Sequence, residues 1–133
     1  MATQIFLNLP IKDLAKTREF FGKLGYTFNE QFSDEKATCM VISDTIYAML
    51  LTEAYFKSFT SKEITDTSKA TEVITALSAE SKEAVIELVN KAFAAGATKH
   101  NEPQDHGFMY IWGFQDLDGH LWEIFWMNSN QVQ

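Results

Sequence analysis

Apolar and polar residues alternate along residues 4–11, close to the start of the chain. One set of alternate positions is apolar and consists of Ile5, Leu7, Leu9 and Ile11. The other set is mixed and includes Phe6, Asn8 and Pro10. A period of two predicts a strand whose apolar face packs on a core and whose second face has a different environment.

The period changes to that of a helix after Asp13. Asp13 is a suitable N-cap, Gly25 is a suitable C-cap, and the apolar positions between them form one stripe. Three strands are predicted next, at residues 26–32, 37–43 and 45–52, followed by a short helical turn at 53–59. The first half of the chain therefore has the order β-α-β-β-β.

The same order returns after a polar segment at residues 60–69, which is rich in Ser and Thr. A strand is predicted at 72–79, then a helix between Ser81 and Gly96, then strands at 97–104, 107–115 and 120–127. We interpret the chain as one domain over residues 1–133, with module 1 at about 1–59, a linker or flap at about 60–69, and module 2 at about 70–133. Phe6 and Ile74 hold equivalent positions in the two first strands.

Composition and charge narrow the class of protein. A chain of 133 residues with 46% hydrophobic and 22% charged residues is typical of a single globular domain. Its formal net charge of −7 argues against nucleic acid or an anionic membrane as partner. The single cysteine, Cys39, excludes an intrachain disulfide and a cysteine metal cluster. No signal peptide or membrane-length apolar run is recognised, so a cytoplasmic location is expected.

The most distinctive motif lies near the end of the chain. Asp116, Asp118 and Gly119 form an Asp-x-Asp-Gly sequence, which is typical of a tight turn. The strand that follows carries one carboxylate, Glu123, on a face that is otherwise apolar. Such a carboxylate needs a partner, a metal ion or protonation. The sequence offers Tyr110 or Asn8 as a partner across the sheet, and with either one Glu123 would have a purely structural role.

This motif resembles the last strand of the vicinal oxygen chelate superfamily, which includes glyoxalase I, bleomycin-resistance proteins and extradiol dioxygenases. That strand reads D-x-D-G-x-x-x-E, and its Glu is a metal ligand. Residues 6–14, with Phe20-Phe21 and Leu24-Gly25-Tyr26, are similar to the start of the family. The resemblance covers nearly the whole chain. It implies an α+β fold of two tandem βαβββ modules whose curled mixed sheets form a cavity, with the helices outside, and it implies a homodimer.

The resemblance also implies where a metal would bind. The ligand positions on the first and last strand of each module fall on Phe6, Met49, Ile74 and Glu123. Phe and Ile have no donor atom, and a thioether is a poor ligand for hard ions. No tightly bound metal or other cofactor is therefore expected. The alternative is a divalent ion held by Glu123 and His106.

The leading functional hypothesis is the binding of a small, partly apolar or aromatic molecule in the cavity. The expected lining residues are Phe6, Asn8, Met49, Ile74, His106, Phe108, Tyr110, Trp112 and Phe125. Trp122, Ile124 and Trp126 alternate with Glu123 and are expected on the helix side. Two enzymatic alternatives remain. One is a metal-dependent lyase, isomerase or dioxygenase with Glu123 as ligand, and the other is a metal-free enzyme with Glu123 as general base.

Overall fold

The computed structural model describes residues 3–128 and confirms the α+β class. The elements are β1 Ile5–Ile11, α1 Leu14–Lys23, β2 Thr27–Asn29, β3 Ala37–Val41, β4 Ile46–Thr52, α2 Glu53–Lys57, β5 Ile74–Ser78, α3 Lys82–Ala94, β6 Thr98–Lys99, β7 Gln104–Asp105, β8 Met109–Gln115 and β9 Leu121–Met127. They form two compact units, with the boundary between Ile64 and Thr65. That boundary lies inside the predicted segment 60–69.

Unit 1 contains a four-stranded mixed sheet in the order β1-β4-β3-β2, in which the neighbours β1 and β4 pair in parallel and the other two pairs are antiparallel. The side chain of Asp13 accepts a hydrogen bond from the Lys16 amide and caps α1 as predicted. Arg18 on α1 donates to Thr38 Oγ1 at 3.1 Å, so α1 covers the sheet face that Thr38 shares with Leu50 and Leu9. Alternation therefore places the side chains of Phe6, Asn8 and Met49 on the other face.

Unit 2 contains a second mixed sheet in the order β5-β9-β8, with β6 and β7 both paired to the far edge of β8. Its core lies between this sheet and α3, where Val85 and Val89 are completely buried and Trp122 and Ile124 nearly so. The placement of Trp122 and Ile124 on the helix side is confirmed.

Two predicted strands are wrong in part. The strand at 26–32 ends at Asn29, whose side chain accepts from the Gln31 amide and starts a 3-10 turn over Glu30–Phe32. The strand at 97–104 is broken into β6 and β7 by residues 100–103. Pro103 has no amide hydrogen to contribute to a ladder and disfavours regular structure before it, which accounts for the break.

The predicted orientation of the aromatic residues on β8 is wrong. Tyr110 and Trp112 pair with Trp126 and Ile124 across the β8–β9 ladder, and directly opposed residues share a face. The Trp112 ring also packs on Phe93 of α3, with 5.7 Å between ring centroids. These aromatic side chains, and Phe114 opposite Trp122, therefore lie on the helix side.

The register explains this error. Residues 116–120 connect β8 to β9 so that Gln115 opposes Leu121, which puts even-numbered residues of both strands on one face. A one-residue change in the turn would exchange the faces of β8. The face that Glu123 shares with β8 consists of Met109, Ile111, Gly113 and Gln115.

Cys39 is completely buried, and burial raises the pKa of its thiol. None of the helices within residues 3–128 is long and apolar enough to span a membrane.

Candidate functional site

The Asp-x-Asp-Gly turn is built around the buried carboxylate of Asp116. Its Oδ1 accepts from the amides of Asp118 at 2.9 Å and His120 at 3.0 Å, and its Oδ2 accepts from Trp122 Nε1 at 2.8 Å. Burial raises the pKa of Asp116 even though these donors and His120 favour its charged form. The motif therefore fixes the start of β9 and the indole of Trp122, and so determines where Glu123 lies.

His120 belongs to this turn. Its ring is 2% exposed, and its Nδ1 lies 3.2 Å from Glu72 Oε1.

Glu123 forms a polar cluster with His100 and Asn101. Its Oε2 lies 3.1 Å from His100 Nε2 and 3.3 Å from Asn101 Nδ2. The side chains of Glu123 and His100 keep 25% and 17% of their surface exposed. The predicted pairing of Glu123 with Tyr110 is wrong, because Tyr110 lies on the opposite face of the sheet. Asn8, the other predicted partner, donates to the Phe6 carbonyl at 3.2 Å.

Gly113 makes this cluster possible. It lies directly opposite Glu123 in the β8–β9 ladder, in the gap that the break between β6 and β7 leaves along the edge of β8. Its amide donates to Asn101 Oδ1 at 3.2 Å, so the Asn101 side chain replaces the missing strand. A Cβ at residue 113 would collide with the Trp122 carbonyl and lie 3.0 Å from His100 Cδ2. A side chain at residue 113 would therefore crowd the ring of His100 where it crosses β8 to reach Glu123.

Sequence reasoning missed His100 and Asn101. A continuous strand over residues 97–104, as the sequence predicts, gives no reason for either side chain to reach Glu123. The signal that could have found both residues is Asn101-Glu102-Pro103, a sequence that interrupts a strand and frees the preceding side chains to turn inward.

The other predicted site residues are distributed over both units. In unit 1, Phe6 stacks on Tyr47 with 4.8 Å between centroids, and Met49 is the neighbour of Asn8. In unit 2, Phe125 and Ile74 share the face of Glu123, with Ala76 directly beside the carboxylate.

His106 lies in the turn before β8, exposed, with its Nε2 3.4 Å from Gln104 Oε1. Phe108 precedes β8 and is 43% exposed. The histidine that lies beside Glu123 is therefore His100, and not the His106 of the alternative metal site.

An open pocket of about 410 Å³ adjoins the cluster within unit 2. Its lining consists of Thr67, Ser68, Lys69, Ala70, Thr71, His100, Gln115, Gly119 and Leu121. Its wall, residues 67–71, is attached to the Asp-x-Asp-Gly turn, since Thr67 Oγ1 donates to the Asp118 carbonyl at 2.5 Å.

The residues present do not fit the divalent metal that the superfamily resemblance implies. The matched positions offer two hydrocarbon side chains, Phe6 and Ile74, a soft thioether at Met49, and one carboxylate. One oxygen of that carboxylate already accepts from His100 and Asn101. Within residues 3–128, no three His, Cys, Asp or Glu side chains form a group that could hold an ion.

Comparison with known proteins relates the chain to one fold family. Residues 3–43 match the family described as "Bleomycin resistance protein-like N-terminal". A hypothetical protein from S. aureus is 27% identical with a TM-score of 0.80, covering 94% of each chain. No curated protein matches the sequence.

More distant solved structures share the same fold. A glyoxalase/bleomycin resistance protein/dioxygenase family enzyme from Burkholderia phytofirmans is 20% identical with a TM-score of 0.79, covering 95% of this chain and 99% of its own. A bleomycin resistance determinant encoded on the transposon Tn5 is 17% identical with a TM-score of 0.65, covering 95% and 98%. The chain therefore has the fold of the glyoxalase/bleomycin resistance protein/dioxygenase structures, and its residues 3–43 are similar in sequence to the bleomycin resistance protein-like N-terminal family.

Proposed function

We propose that this protein binds a small, partly apolar molecule on the Glu123 face of unit 2, without a resident divalent metal, as a cytoplasmic binding protein. The observation that carries the proposal is the partly exposed carboxylate of Glu123, oriented by His100 and Asn101 on a largely apolar sheet face. Ligand sites typically combine an apolar surface with a few oriented polar groups.

The surroundings of the carboxylate support binding over a purely structural role. Ile74 and Met127 on this face are 48% and 39% exposed, and Leu121 and Phe125 are half-buried. A structural ion pair needs no such apolar surface around it. Within residues 3–128, the hydrogen bonds of the carboxylate use Oε2, so Oε1 remains available to a ligand.

The aromatic content of the proposed site is smaller than the sequence predicts. Tyr110 and Trp112 face α3, so Phe125 is the aromatic residue that β9 contributes. We therefore propose a ligand that is held by aliphatic and thioether contacts as much as by ring stacking.

Native mass spectrometry of the protein isolated from its own cytosol tests the proposal. We expect an adduct that is released on denaturation and is absent from a Met127→Lys variant, which places a charge on the apolar face. The matched control is Phe32→Lys, because Phe32 is also apolar and 59% exposed but lies in the 3-10 turn of unit 1. No adduct with wild type, or equal loss in both variants, contradicts the proposal.

A metal-free enzyme is the second candidate, and the His100–Glu123 pair favours it. A carboxylate hydrogen-bonded to an imidazole is an arrangement used for proton transfer. One measurement on the isolated ligand, its conversion by the protein, distinguishes the enzyme from the binding protein. Conversion of the ligand by wild type, abolished in Glu123→Gln while binding persists, would establish the enzyme. Stoichiometric binding without conversion would establish the binding protein.

A further inference from the structure

The pocket beside His100 has a defined hydrogen-bond polarity that can be followed from the backbone outward. The Gly113 amide can only donate, so the atom of Asn101 that faces it is the carbonyl Oδ1, at 3.2 Å. The amide nitrogen of Asn101 therefore points to Glu123 Oε2 and donates to it. This fixes the orientation of the Asn101 side chain without reference to the ligand.

The same argument assigns the hydrogen of His100. An ionised carboxylate only accepts, so the Nε2 that lies 3.1 Å from Glu123 Oε2 carries the hydrogen. In a neutral imidazole the other nitrogen then has a lone pair. His100 lines the pocket, and Nδ1 is the ring nitrogen whose lone pair is left to accept from a ligand.

Gln115 also lines this pocket, and the atom that it has left for a ligand can be identified by a parallel argument. Its Nε2 donates to the Lys99 carbonyl at 2.9 Å, and a carbonyl can only accept. The side-chain oxygen of Gln115 is consequently the end that remains for a ligand. Within residues 3–128, neither this oxygen nor His100 Nδ1 has a hydrogen-bond donor.

We propose that this pocket binds the hydrogen-bond-donor end of the ligand, a hydroxyl or an amine, between His100 Nδ1 and the Gln115 side-chain oxygen. The inference rests on the proposed function and specifies the ligand class for it. A carboxylate would place its lone pairs against two acceptors. Lys69 contributes a cation to the lining, so a direct comparison of donor and carboxylate ligands is the decisive test.

Three probes with the same ring provide this comparison: benzyl alcohol, benzylamine and benzoate. Each is titrated into 15N-labelled protein, and binding is followed by the amide shifts of residues 67–71 and the side-chain amide of Gln115. We expect the alcohol or the amine to bind at this pocket and benzoate to bind at least about 5-fold more weakly, the cost of an unmade hydrogen bond. The alcohol and amine arms distinguish a neutral from a cationic ligand. Benzoate binding as tightly as both, or shifts confined to other residues, would overturn the inference.

A variant and a direct observation complete the test. Gln115→Met removes the acceptor but keeps a side chain of similar length, and it should weaken binding of the preferred probe by about 2- to 10-fold. Gln104→Met on the exposed strand β7 is the control and should bind as wild type.

Long-range 15N–1H correlation of the imidazole should show the hydrogen of His100 on Nε2, and a hydrogen on Nδ1 would contradict the inference. If benzoate binds most tightly, this inference fails but the proposed function stands. If none of the three probes binds and no adduct from cells is found, this inference and the proposed function both fail.

Discussion

Gly113 faces Glu123 across the β8–β9 ladder, and a Cβ at residue 113 would lie only 3.0 Å from Cδ2 of the His100 ring that contacts Glu123. A position whose identity looks unremarkable in the sequence therefore controls the polar cluster. The same glycine donates to Asn101, so it connects all the members of the cluster.

Substituting Gly113 should damage both stability and the cluster. In Gly113→Ala the new Cβ meets the Trp122 carbonyl and the ring of His100, and overpacking of this kind costs about 1–3 kcal/mol in the free energy of unfolding. The control is Gly22→Ala in α1, where no atom lies within 4 Å of the new Cβ. We expect Gly22→Ala to gain about 0.5 kcal/mol, since alanine favours a helix. Urea denaturation measures the free energy of unfolding of both variants, and equal values would contradict the contacts described for residue 113.

Trp122 and Trp112 should both contribute to stability, to different extents. Trp122 is 1% exposed and donates to Asp116, so Trp122→Ala should cost about 3–5 kcal/mol. Trp112 is half-buried against Phe93, so Trp112→Ala should cost less than about 3 kcal/mol. Neither ring lies on the Glu123 face, so ligand affinity should change little in Trp112→Ala. Lost affinity with unchanged stability in that variant would show that the assignment of strand faces is wrong.

Asp116 should give the unfolding free energy a distinctive pH dependence. Burial raises its pKa above the ordinary 3.8. A group with a raised folded-state pKa contributes stability below its unfolded-state pKa, and that contribution is lost as the pH rises through the folded-state value. The free energy of unfolding of wild type should therefore fall relative to that of Asp116→Asn as the pH rises from about 4. Denaturation curves of both proteins across this range measure the difference, and a rise would contradict the prediction.

The purified protein should contain no stoichiometric divalent metal, because Phe6, Met49 and Ile74 occupy the matched ligand positions. Elemental analysis after dialysis is the measurement. Nickel, zinc, iron or manganese near one per chain, lost in Glu123→Ala, would instead favour the metal-dependent enzyme.

We expect a homodimer in solution. Each unit begins with a strand at the edge of its sheet, and these strands, β1 and β5, expose Ile5 at 55% and Ile74 at 48%. Exposed apolar edge strands favour pairing with a second chain. Light scattering should give about twice 15.2 kDa, and Ile5→Lys should lower the apparent mass without loss of fold if β1 takes part. A monomeric wild type at micromolar concentration would exclude the dimer.

The sequence was sufficient to predict the two βαβββ modules, the caps of the helices and the turn at Asp116. Each of these depends on residues close together in the chain, where periodicity and capping chemistry act directly. Burial of Trp122 and Ile124 could also be predicted, since they alternate with Glu123, the charged residue of β9.

The tertiary structure alone decided the partners of Glu123 and the faces of β8. The face of Tyr110 and Trp112 depends on the register that residues 116–120 impose, and a shift of one residue reverses it. His100 lies 23 residues from Glu123 in sequence, and it approaches through a break in one strand and a glycine in the next. A local pattern can mark the break before Pro103, but it cannot predict this approach, because the approach requires two separated segments to leave space at the same point of the sheet.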